Sequence, residues 1–261
     1  GGYGAPTQDM VESYEYAKGG FPDWNPWHGT TTDTPPYAEL EPRFHATILY
    51  NGATWKNRTI EPFVGGADGW CTWNLEREPK GRTTTGYYLR KMVDETHDVI
   101  AYSNGVQPLS VLRYAEVLLN KAEALAELGN GRLPEALESL NQVRARVGLP
   151  AKTASTKAEF MKLLRKERMV ELAGEGFRFW DIRRWRIAGD DPNVEGDGVI
   201  HGAVAHGVKI TKDPETGKCT YEHGEVDAGR TRIFLDHYYA FSIPVEERSN
   251  NNLFGQNNPG W

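Results

Sequence analysis

The loop GGFPDWNPWHG near the start of the chain combines two indole rings with several hydrogen-bonding side chains. Trp24 and Trp27 stand three residues apart, and the Asn-Pro pair between them stiffens the backbone and excludes a central strand. Asp23, Asn25 and His28 add carboxylate, amide and imidazole groups beside these rings. Sugars present flat apolar faces edged with hydroxyls, which indole faces and such polar groups match. The loop therefore predicts a contact with carbohydrate.

One aromatic ring is not enough for a usable sugar site. Covering about half of a ~200 Å² indole at ~25 cal/mol/Å² contributes roughly 2.5 kcal/mol, which alone corresponds to a dissociation constant in the tens of millimolar. We therefore expect Tyr14 and Tyr16 to contribute beside the two tryptophans. Three further indoles in or beside Gly-containing turns complete the predicted ligand contacts: Trp55, Trp70 and Trp73. For Trp24 and Trp27 the alternative interpretation is packing against a part of the protein outside this sequence. For Trp55, Trp70 and Trp73 a structural role is the favoured interpretation, and ligand contact is the alternative.

Two carboxylates on a predicted helix have a spacing that could serve acid–base chemistry. Glu167 and Glu171 are four residues apart, and a glycoside hydrolase works with a pair of carboxylates. We instead interpret them as members of a half-buried ion network between their own helix, the third predicted in the chain, and a fourth in the segment FRFWDIRRW after Gly176, and we predict no catalytic residue. The expected partners are arginines close in sequence: Arg168, Arg178, Arg183 and Arg184. Trp180 and Trp185, in the same segment, are expected in the core.

No metal site or cofactor is predicted. The seven histidines show no close ligand spacing with one another or with either cysteine. Cys71 and Cys219 lie far apart in the sequence, and they are compatible with either a disulfide or two free thiols, of which free thiols are slightly favoured.

Helices must position these groups. Apolar residues recur at helical spacing from Leu109 to Leu128, and a second helix is predicted from Pro134 to Gly148. Two helices joined by a short Gly-containing turn make one tetratricopeptide-like unit. A capping box at Thr156 and Glu159 begins a third helix. A β-hairpin is predicted over 44–64, with its first strand over 44–50, a turn at Asn51-Gly52 and a return strand. A second hairpin is predicted over 208–222 around DPETG, and single strands are predicted over 85–93 and 232–243.

Several sequence blocks resemble one family. RYAEVLLNKAEALAELG, ERMVELAGEGFRFWDIRRW and SIPVEERSNNNLFGQNNPGW are similar to consecutive C-terminal hallmarks of the SusD/RagB family of outer-membrane nutrient-binding lipoproteins. GGYGAPTQDMVESYE, EPRFHATILYNG and TGYYLRKMVDE resemble its middle segments in the same order. The resemblance implies a mainly α fold with irregular loops and short β-hairpins around a tetratricopeptide-like α-α superhelix core.

The resemblance also implies that this chain is the C-terminal half of such a protein. Family members are about twice as long, and their export signal, lipidated cysteine and most tetratricopeptide helices belong to an N-terminal half that lies outside this sequence. We therefore expect one SusD-like domain part over 1–261. It comprises a loop-rich and hairpin-rich ligand-binding segment (1–107), a helical core (108–187), and hairpins with a C-terminal tail (188–261). Apolar surface is expected where the other helices would pack.

Composition narrows the function. A net charge of −6 argues against nucleic-acid binding. No apolar run approaches the roughly 18 residues of a membrane span, so attachment is expected only through a lipid anchor outside this sequence. The resemblance implies a non-catalytic glycan-binding protein at the cell surface of the outer membrane, delivering ligand to a SusC-like TonB-dependent transporter. A peptide-binding tetratricopeptide scaffold and a glycoside hydrolase are the alternatives, and the resemblance leaves peptide or glycopeptide ligands open.

Overall fold

The computed structural model describes residues 4–71, 82–96 and 110–261. The chain divides into two compact units. The first unit comprises Gly1–Gly176 and Ala205–Asp227, and the second comprises Phe177–Val204 and Ala228–Trp261. The last helix of the predicted core segment therefore belongs to the second unit, and a late β-hairpin belongs to the first.

The first unit contains five α-helices among its described residues. They are α1 (Gln8–Val11), α2 (Pro42–Thr47), α3 (Tyr114–Glu127), α4 (Leu133–Ala145) and α5 (Lys157–Glu171). Helix α3 packs against both α4 and α5, because its apolar stripe is wide enough for two neighbours. The buried residues of α3 are those of the predicted faces: Leu118, Leu119, Ala122, Leu125 and Ala126.

The start of α3 differs from the prediction. Arg113 precedes the helix in an extended conformation, with φ −141° and ψ 156°. Val111 and Leu112 therefore lie outside the helix, and both are largely exposed. The predicted start near Leu109 lies outside the described residues, and Tyr114 is the first helical residue. Apolar surface is also exposed on α3 itself, where Tyr114 is 71% accessible.

The predicted capping box of α5 is confirmed. The Thr156 hydroxyl accepts a hydrogen bond from the Glu159 N–H at 3.2 Å, and the Glu159 carboxylate accepts one from the Thr156 N–H at 3.2 Å. Helix α1 also has a side-chain cap, since the Thr7 hydroxyl accepts a hydrogen bond from the Met10 N–H at 3.3 Å. Both caps satisfy N–H groups that have no partner within the helix.

In the described part of the first unit, three small antiparallel sheets accompany the helices. The strands are β1 (Thr30–Thr31), β2 (Ile48–Leu49), β3 (Thr54–Trp55), β4 (Arg58–Thr59), β5 (Tyr88–Leu89), β6 (His206–Lys212) and β7 (Cys219–Glu225). The sheet orders are β1-β7-β6, β2-β5 and β3-β4. The β6–β7 hairpin confirms the predicted hairpin over 208–222.

The first predicted hairpin is only partly correct. Most of 44–50 is the short helix α2 rather than a strand, and Pro42 occupies the first turn of that helix, where its fixed φ is favourable. Asn51-Gly52 does form a turn, closed by a hydrogen bond from the Ala53 N–H to the Tyr50 carbonyl at 3.0 Å, but this turn does not join two paired strands. The hairpin turn lies at Lys56 and Asn57, whose φ angles are 46° and 62°, and it joins β3 to β4. Of the predicted strand over 85–93, only β5 is formed.

Loops cover the outer edge of β6. The Val208 N–H donates to the Thr85 carbonyl at 2.9 Å, and the Val64 N–H donates to the Ile210 carbonyl at 2.8 Å. Gly86, with φ +82°, follows Thr85 at the same place, and a Cβ on it would overlap the Val208 carbonyl oxygen. Only glycine permits this close approach.

The second unit contains α6 (Phe177–Arg184), a 3-10 helix over Asp236–Tyr239 and α7 (Val245–Asn250). The strand predicted over 232–243 is wrong, because a 3-10 helix occupies its middle. Trp185 packs against the core of this unit. Trp180 does not, since α6 buries Asp181 and Ile182 instead, and the Trp180 side chain is 57% exposed.

Candidate functional site

Two of the predicted ligand contacts lie in the core. Tyr14 is completely buried and Trp24 is 6% exposed, and both belong to the apolar cluster that packs α1 and α2 against β6 and β7. Tyr14 meets Phe44 edge to face, with ring centroids 5.5 Å apart. In this structure neither ring has a face open to a ligand, so their expected role as sugar platforms is corrected to packing.

The rest of the Trp24–His28 loop is closer to the surface. A 3-10 helix over Asn25–Trp27 lifts Trp27 to a half-buried position. The Trp27 indole N–H donates to the Asp33 carbonyl at 3.2 Å. Asp23 accepts from the Asn25 N–H at 3.1 Å, and both side chains are exposed. The Trp27 and Trp24 rings meet edge to face, with centroids 5.9 Å apart. Of these two tryptophans, Trp24 is buried and Trp27 is partly accessible.

Trp55 contributes to a cleft of about 380 Å³. The cleft is also lined by Tyr88 of β5, and both rings pack against a small apolar cluster of Leu49, Ala53 and Ile60. The hairpin β3–β4 presents Trp55, and the pairing of β2 with β5 presents Tyr88. The volume lies within the range of roughly 300–1,000 Å³ typical of small-molecule sites.

An arginine–carboxylate pair forms the polar wall of this cleft. The two terminal nitrogens of Arg58 donate to the two oxygens of Asp68 at 2.6 and 2.7 Å. Tyr88 donates its hydroxyl to the Asp68 carbonyl at 2.7 Å. Partial burial would raise the pKa of the Asp68 carboxyl, but hydrogen bonds from Arg58 and from the Glu61 N–H hold it below its ordinary value. The cleft therefore combines aromatic faces with a fixed pair of opposite charges.

The remaining predicted aromatic contacts are separate from this cleft or not described. Trp70 is half-buried, with the Lys209 ammonium 5.5 Å from its ring centroid. Tyr16 is half-buried beside Lys18, whose ammonium lies 5.1 Å from the ring. Trp73 lies outside the described residues.

Cys71 and Cys219 are free thiols.

Glu167 and Glu171 belong to a buried ion network, as predicted, and it includes arginines from parts of the chain that the sequence did not indicate. Arg43 and Arg144 bind the two oxygens of Glu167 at 2.5 and 2.9 Å. Arg113 and Arg43 approach Glu171 to 2.6 and 3.1 Å. Of the predicted partners, Arg168 donates to Asn120, Arg184 pairs with Asp181 and Arg183 lies over Phe179. The network joins α5 to α2 through Arg43, to α4 through Arg144, and to the segment that precedes α3 through Arg113.

Further carboxylates close the network. Glu15 receives Arg144 at 2.9 Å and Lys152 at 2.8 Å. Glu175 receives Arg113 at 2.7 Å and also pairs with Lys91. Burial alone would raise the pKa values of these two carboxyls and of Glu171, and hydrogen bonds and charges from their basic partners hold all three below the ordinary value. Because these oxygens are committed to basic side chains, they do not form a free acid–base pair.

The structure also brings together three histidines that the sequence separates widely. The rings of His28 and His223 are 4.6 Å apart, and those of His206 and His223 are 5.0 Å apart. Glu12 contacts His28 Nε2 at 2.8 Å, and Asp9 contacts His206 Nδ1 at 2.7 Å. Partial burial, followed by the neighbouring imidazoles, lowers the pKa of His223. No local motif signals this cluster, because it forms only when β7 pairs with β1.

Comparison with known proteins decides the family. The model of the SusD family matches residues 1–261, the whole chain.

The chain belongs to the SusD family.

Relatives support this assignment at several levels. A SusD-like protein of Formosa agariphila is 39% identical over 101 residues, which cover 35% of this chain and 19% of that protein. The crystal structure of a SusD-like protein from Bacteroides fragilis is 27% identical, with a TM-score of 0.75, and covers 98% of this chain and 47% of its own. A SusD-like carbohydrate binding protein from the same species is 27% identical, with a TM-score of 0.61. The match covers 95% of this chain and 47% of that protein. The chain thus spans less than half the length of these solved relatives.

The SusD-like fold confirms the predicted class. The described residues form a helix-rich structure with short strands, and its neighbours are SusD-like proteins with tetratricopeptide-like helices. Among the described residues, no helix has both the length and the apolar character required to cross a membrane.

Proposed function

We propose that this SusD family member binds carbohydrate without cleaving it, at the cleft around Trp55 and Tyr88. The observation that carries the proposal is the combination of two aromatic side chains with the bidentate Arg58–Asp68 pair in one cleft of about 380 Å³. A solved relative at 27% identity is described as a carbohydrate binding protein, which supports this class of ligand.

The chemistry of the cleft suits a sugar ring. The Trp55 and Tyr88 rings offer apolar surface to C–H faces, and covering two aromatic rings contributes at most about 5 kcal/mol, or a dissociation constant near 0.2 mM. Arg58 and Asp68 are already oriented by each other, so their remaining donors and acceptors meet hydroxyls with little further loss of side-chain entropy. Both oxygens of Asp68 are bonded to Arg58, so this carboxylate is not a free acid or base, which supports binding without catalysis.

The exposed part of the Trp24–His28 loop is a second proposed contact for a longer glycan. Trp27 keeps part of its ring accessible, and Asp23, Asn25 and His28 carry exposed hydrogen-bonding groups. Trp70 and Tyr16 remain predicted contacts with partly accessible rings. A polysaccharide can span several such contacts, because each one adds affinity without requiring a closed pocket.

We further propose that the complete protein acts at the outer surface of the outer membrane, held by a lipid anchor outside this sequence, and passes glycan to a SusC-like TonB-dependent transporter. Membership of the SusD family supports this role. Co-purification of the full-length protein with such a transporter in detergent tests it. Loss of glycan uptake after deletion of the transporter is expected, and normal uptake would contradict the proposal.

Calorimetric titration of the chain with a panel of polysaccharides tests the binding site. Trp55→Ala removes one aromatic face, and we expect the affinity for the bound glycan to fall at least about tenfold. Trp180→Ala is the matched control, since Trp180 is an exposed indole of the second unit. Equal affinity of Trp55→Ala and the unmodified chain would contradict the site. Release of new reducing ends would instead indicate a glycoside hydrolase, and affinity for peptides alone would indicate a peptide scaffold.

A further inference from the structure

Three potential metal ligands converge beside the Trp24–His28 loop. One ring nitrogen each of His28 and His223 and one carboxylate oxygen of Glu12 all lie within 4.8 Å of one another. His28 and Glu12 are in direct contact, with His28 Nε2 and Glu12 Oε1 2.8 Å apart. Glu12 and His223 are half-buried and His28 is exposed, so the group is accessible from solvent while two of its members are held by the protein.

The backbone fixes the relative positions of these residues. Strand β1 pairs with β7 directly beside the cluster, with Thr30 opposite Glu222. The His223 N–H donates to the Gly29 carbonyl at 2.8 Å, which ties the residue after His28 to the strand that carries His223. Glu12 ends helix α1, which packs against β6. Backbone hydrogen bonds therefore join the His28 segment to β7, and α1, which carries Glu12, packs against the neighbouring strand β6.

A chain of buried hydrogen bonds orients the carboxylate. Tyr37 and Tyr87 share a hydrogen bond between their hydroxyls at 2.6 Å, and Tyr87 donates to the Gln8 amide oxygen. Gln8, which is 2% exposed, donates its amide N–H to Glu12 Oε1 at 2.9 Å. Metal ligands are commonly held in place by such a second layer of hydrogen bonds. An incidental surface ion pair does not need this support from the core.

We propose that Glu12, His28 and His223 bind a divalent transition metal ion, with Zn²⁺ as the ion they fit best. Zn²⁺ takes nitrogen and oxygen ligands at about 2.0–2.2 Å in a tetrahedron, which sets the ligand atoms about 3.4 Å apart. The 2.8 Å pair must open by about 0.6 Å and the widest separation must close by at most about 1.4 Å, which rotations of the side chains provide. Three protein ligands leave the fourth position to water or to an oxygen of a bound molecule.

The ligand set selects against the common alkaline-earth ions. Ca²⁺ takes six to eight oxygen ligands, and Mg²⁺ takes an octahedron of oxygens. Two imidazoles and one carboxylate instead suit Zn²⁺, Cu²⁺ or Ni²⁺. A bound ion would tie the loop that carries Trp27 to α1 and β7, because the ligands come from all three.

Titration of chelator-treated chain with ZnCl₂ at neutral pH, in a buffer that does not coordinate metals, tests the proposal. We expect one saturable site of micromolar or tighter affinity, and at least about tenfold weaker binding in Glu12→Gln and in His223→Ala. CaCl₂ and MgCl₂ are expected to give no saturable heat. Circular dichroism of each variant establishes that it is folded before its affinity is compared.

His206→Gln is the matched control. His206 stacks on His223, but it is not one of the three converging ligands, so we expect its Zn²⁺ affinity to stay within about threefold of the unmodified chain. The proposal would be overturned if the unmodified chain showed no saturable binding. It would also be overturned if Glu12→Gln and His223→Ala bound Zn²⁺ as tightly as the unmodified chain. A loss in His206→Gln as large as in His223→Ala would overturn the assignment of these three ligands. The visible absorption spectrum of Co²⁺ bound to the unmodified chain is an independent measurement, because it does not depend on any variant being folded. Absence of a tetrahedral Co²⁺ spectrum would contradict the site.

Discussion

Two arginine–carboxylate systems of the first unit use the same chemistry under opposite conditions. Arg144 and its partner Glu167 have side chains that are 1% and 5% exposed. Arg58 and its partner Asp68 have side chains that are 47% and 14% exposed. The first system is enclosed by helices and shares its charges among many partners, whereas the second forms one wall of an open cleft.

Buried ion pairs contribute to the stability of the fold, whereas exposed ion pairs can bind a ligand. Burying charges is costly, and a buried network stabilises the fold only while each charge keeps its partner. An exposed pair contributes little to stability, because water screens it, but its donors and acceptors remain available to a ligand. Residue type alone does not distinguish the two roles, and burial does.

The largest expected effect is loss of a partner from the buried network. Arg144→Met leaves Glu15 and Glu167 each short of a partner, and we expect the free energy of unfolding to fall by about 3–5 kcal/mol. Urea denaturation followed by circular dichroism measures this. Arg132→Met is the control, since Arg132 makes an exposed pair with Glu135, and its unfolding midpoint should not change. A change below about 1 kcal/mol in Arg144→Met would remove the distinction between the two systems.

Acid should weaken the buried network at a defined pH. The folded-state pKa values of Glu15, Glu171 and Glu175 are lowered from the ordinary value of 4.5, so their stabilisation is fully present above pH 4.5 and is lost as pH falls through the lowered values. Burial raises the pKa of Glu41 despite its bond to Arg43. Protonation of this one group therefore favours the folded state as the pH falls.

We therefore expect the urea midpoint to be flat from pH 7 to about 5.5 and to decline below about pH 4. Glu15→Gln should make that decline shallower, because one titrating group is removed. A midpoint that rises on acidification would show that Glu41 dominates and would contradict the expected sign.

The smallest change in stability is expected from a substitution in the cleft, which should instead change ligand binding. Arg58→Met should change the free energy of unfolding by less than about 1 kcal/mol. Its glycan affinity should fall about tenfold or more, because hydrogen bonds to a charged group contribute about 1.5–3 kcal/mol. Titration calorimetry and urea denaturation on the same sample measure both quantities. Strong destabilisation with unchanged affinity would reverse the roles assigned to the two systems.

Local rules predicted the helices well. Apolar spacing identified the buried face of α3, and the Thr156–Glu159 spacing identified the cap of α5, since both depend on residues within a turn or two of each other. The existence of the ion network also followed from two carboxylates on one helix face. Its partners did not, because Arg43 and Arg144 approach α5 from distant parts of the chain.

The candidate site was harder to predict for the same physical reason. Trp24 and Trp27 share one loop, but whether an indole faces the core depends on α1, α2 and the late β-hairpin packing around it. Trp55 ends strand β3, next to the turn at Lys56 and Asn57 rather than the predicted hairpin turn, and its neighbour Tyr88 is brought to it by the pairing of β2 with β5. The cluster of Glu12, His28 and His223 depends on a strand pairing across nearly the whole first unit, which no spacing of histidines can encode.

The covered edge of β6 has a consequence for behaviour at high concentration. An uncovered strand edge is a template on which a strand from another molecule can add, and such addition leads to aggregation. At Val208 and Ile210 the outward-facing N–H and carbonyl groups are already taken by residues 85 and 64 of the same chain. Glycine at position 86 is what lets that covering segment sit close enough. Crowding many copies together should therefore not, at these residues, turn the hairpin into a nucleus for intermolecular β-structure.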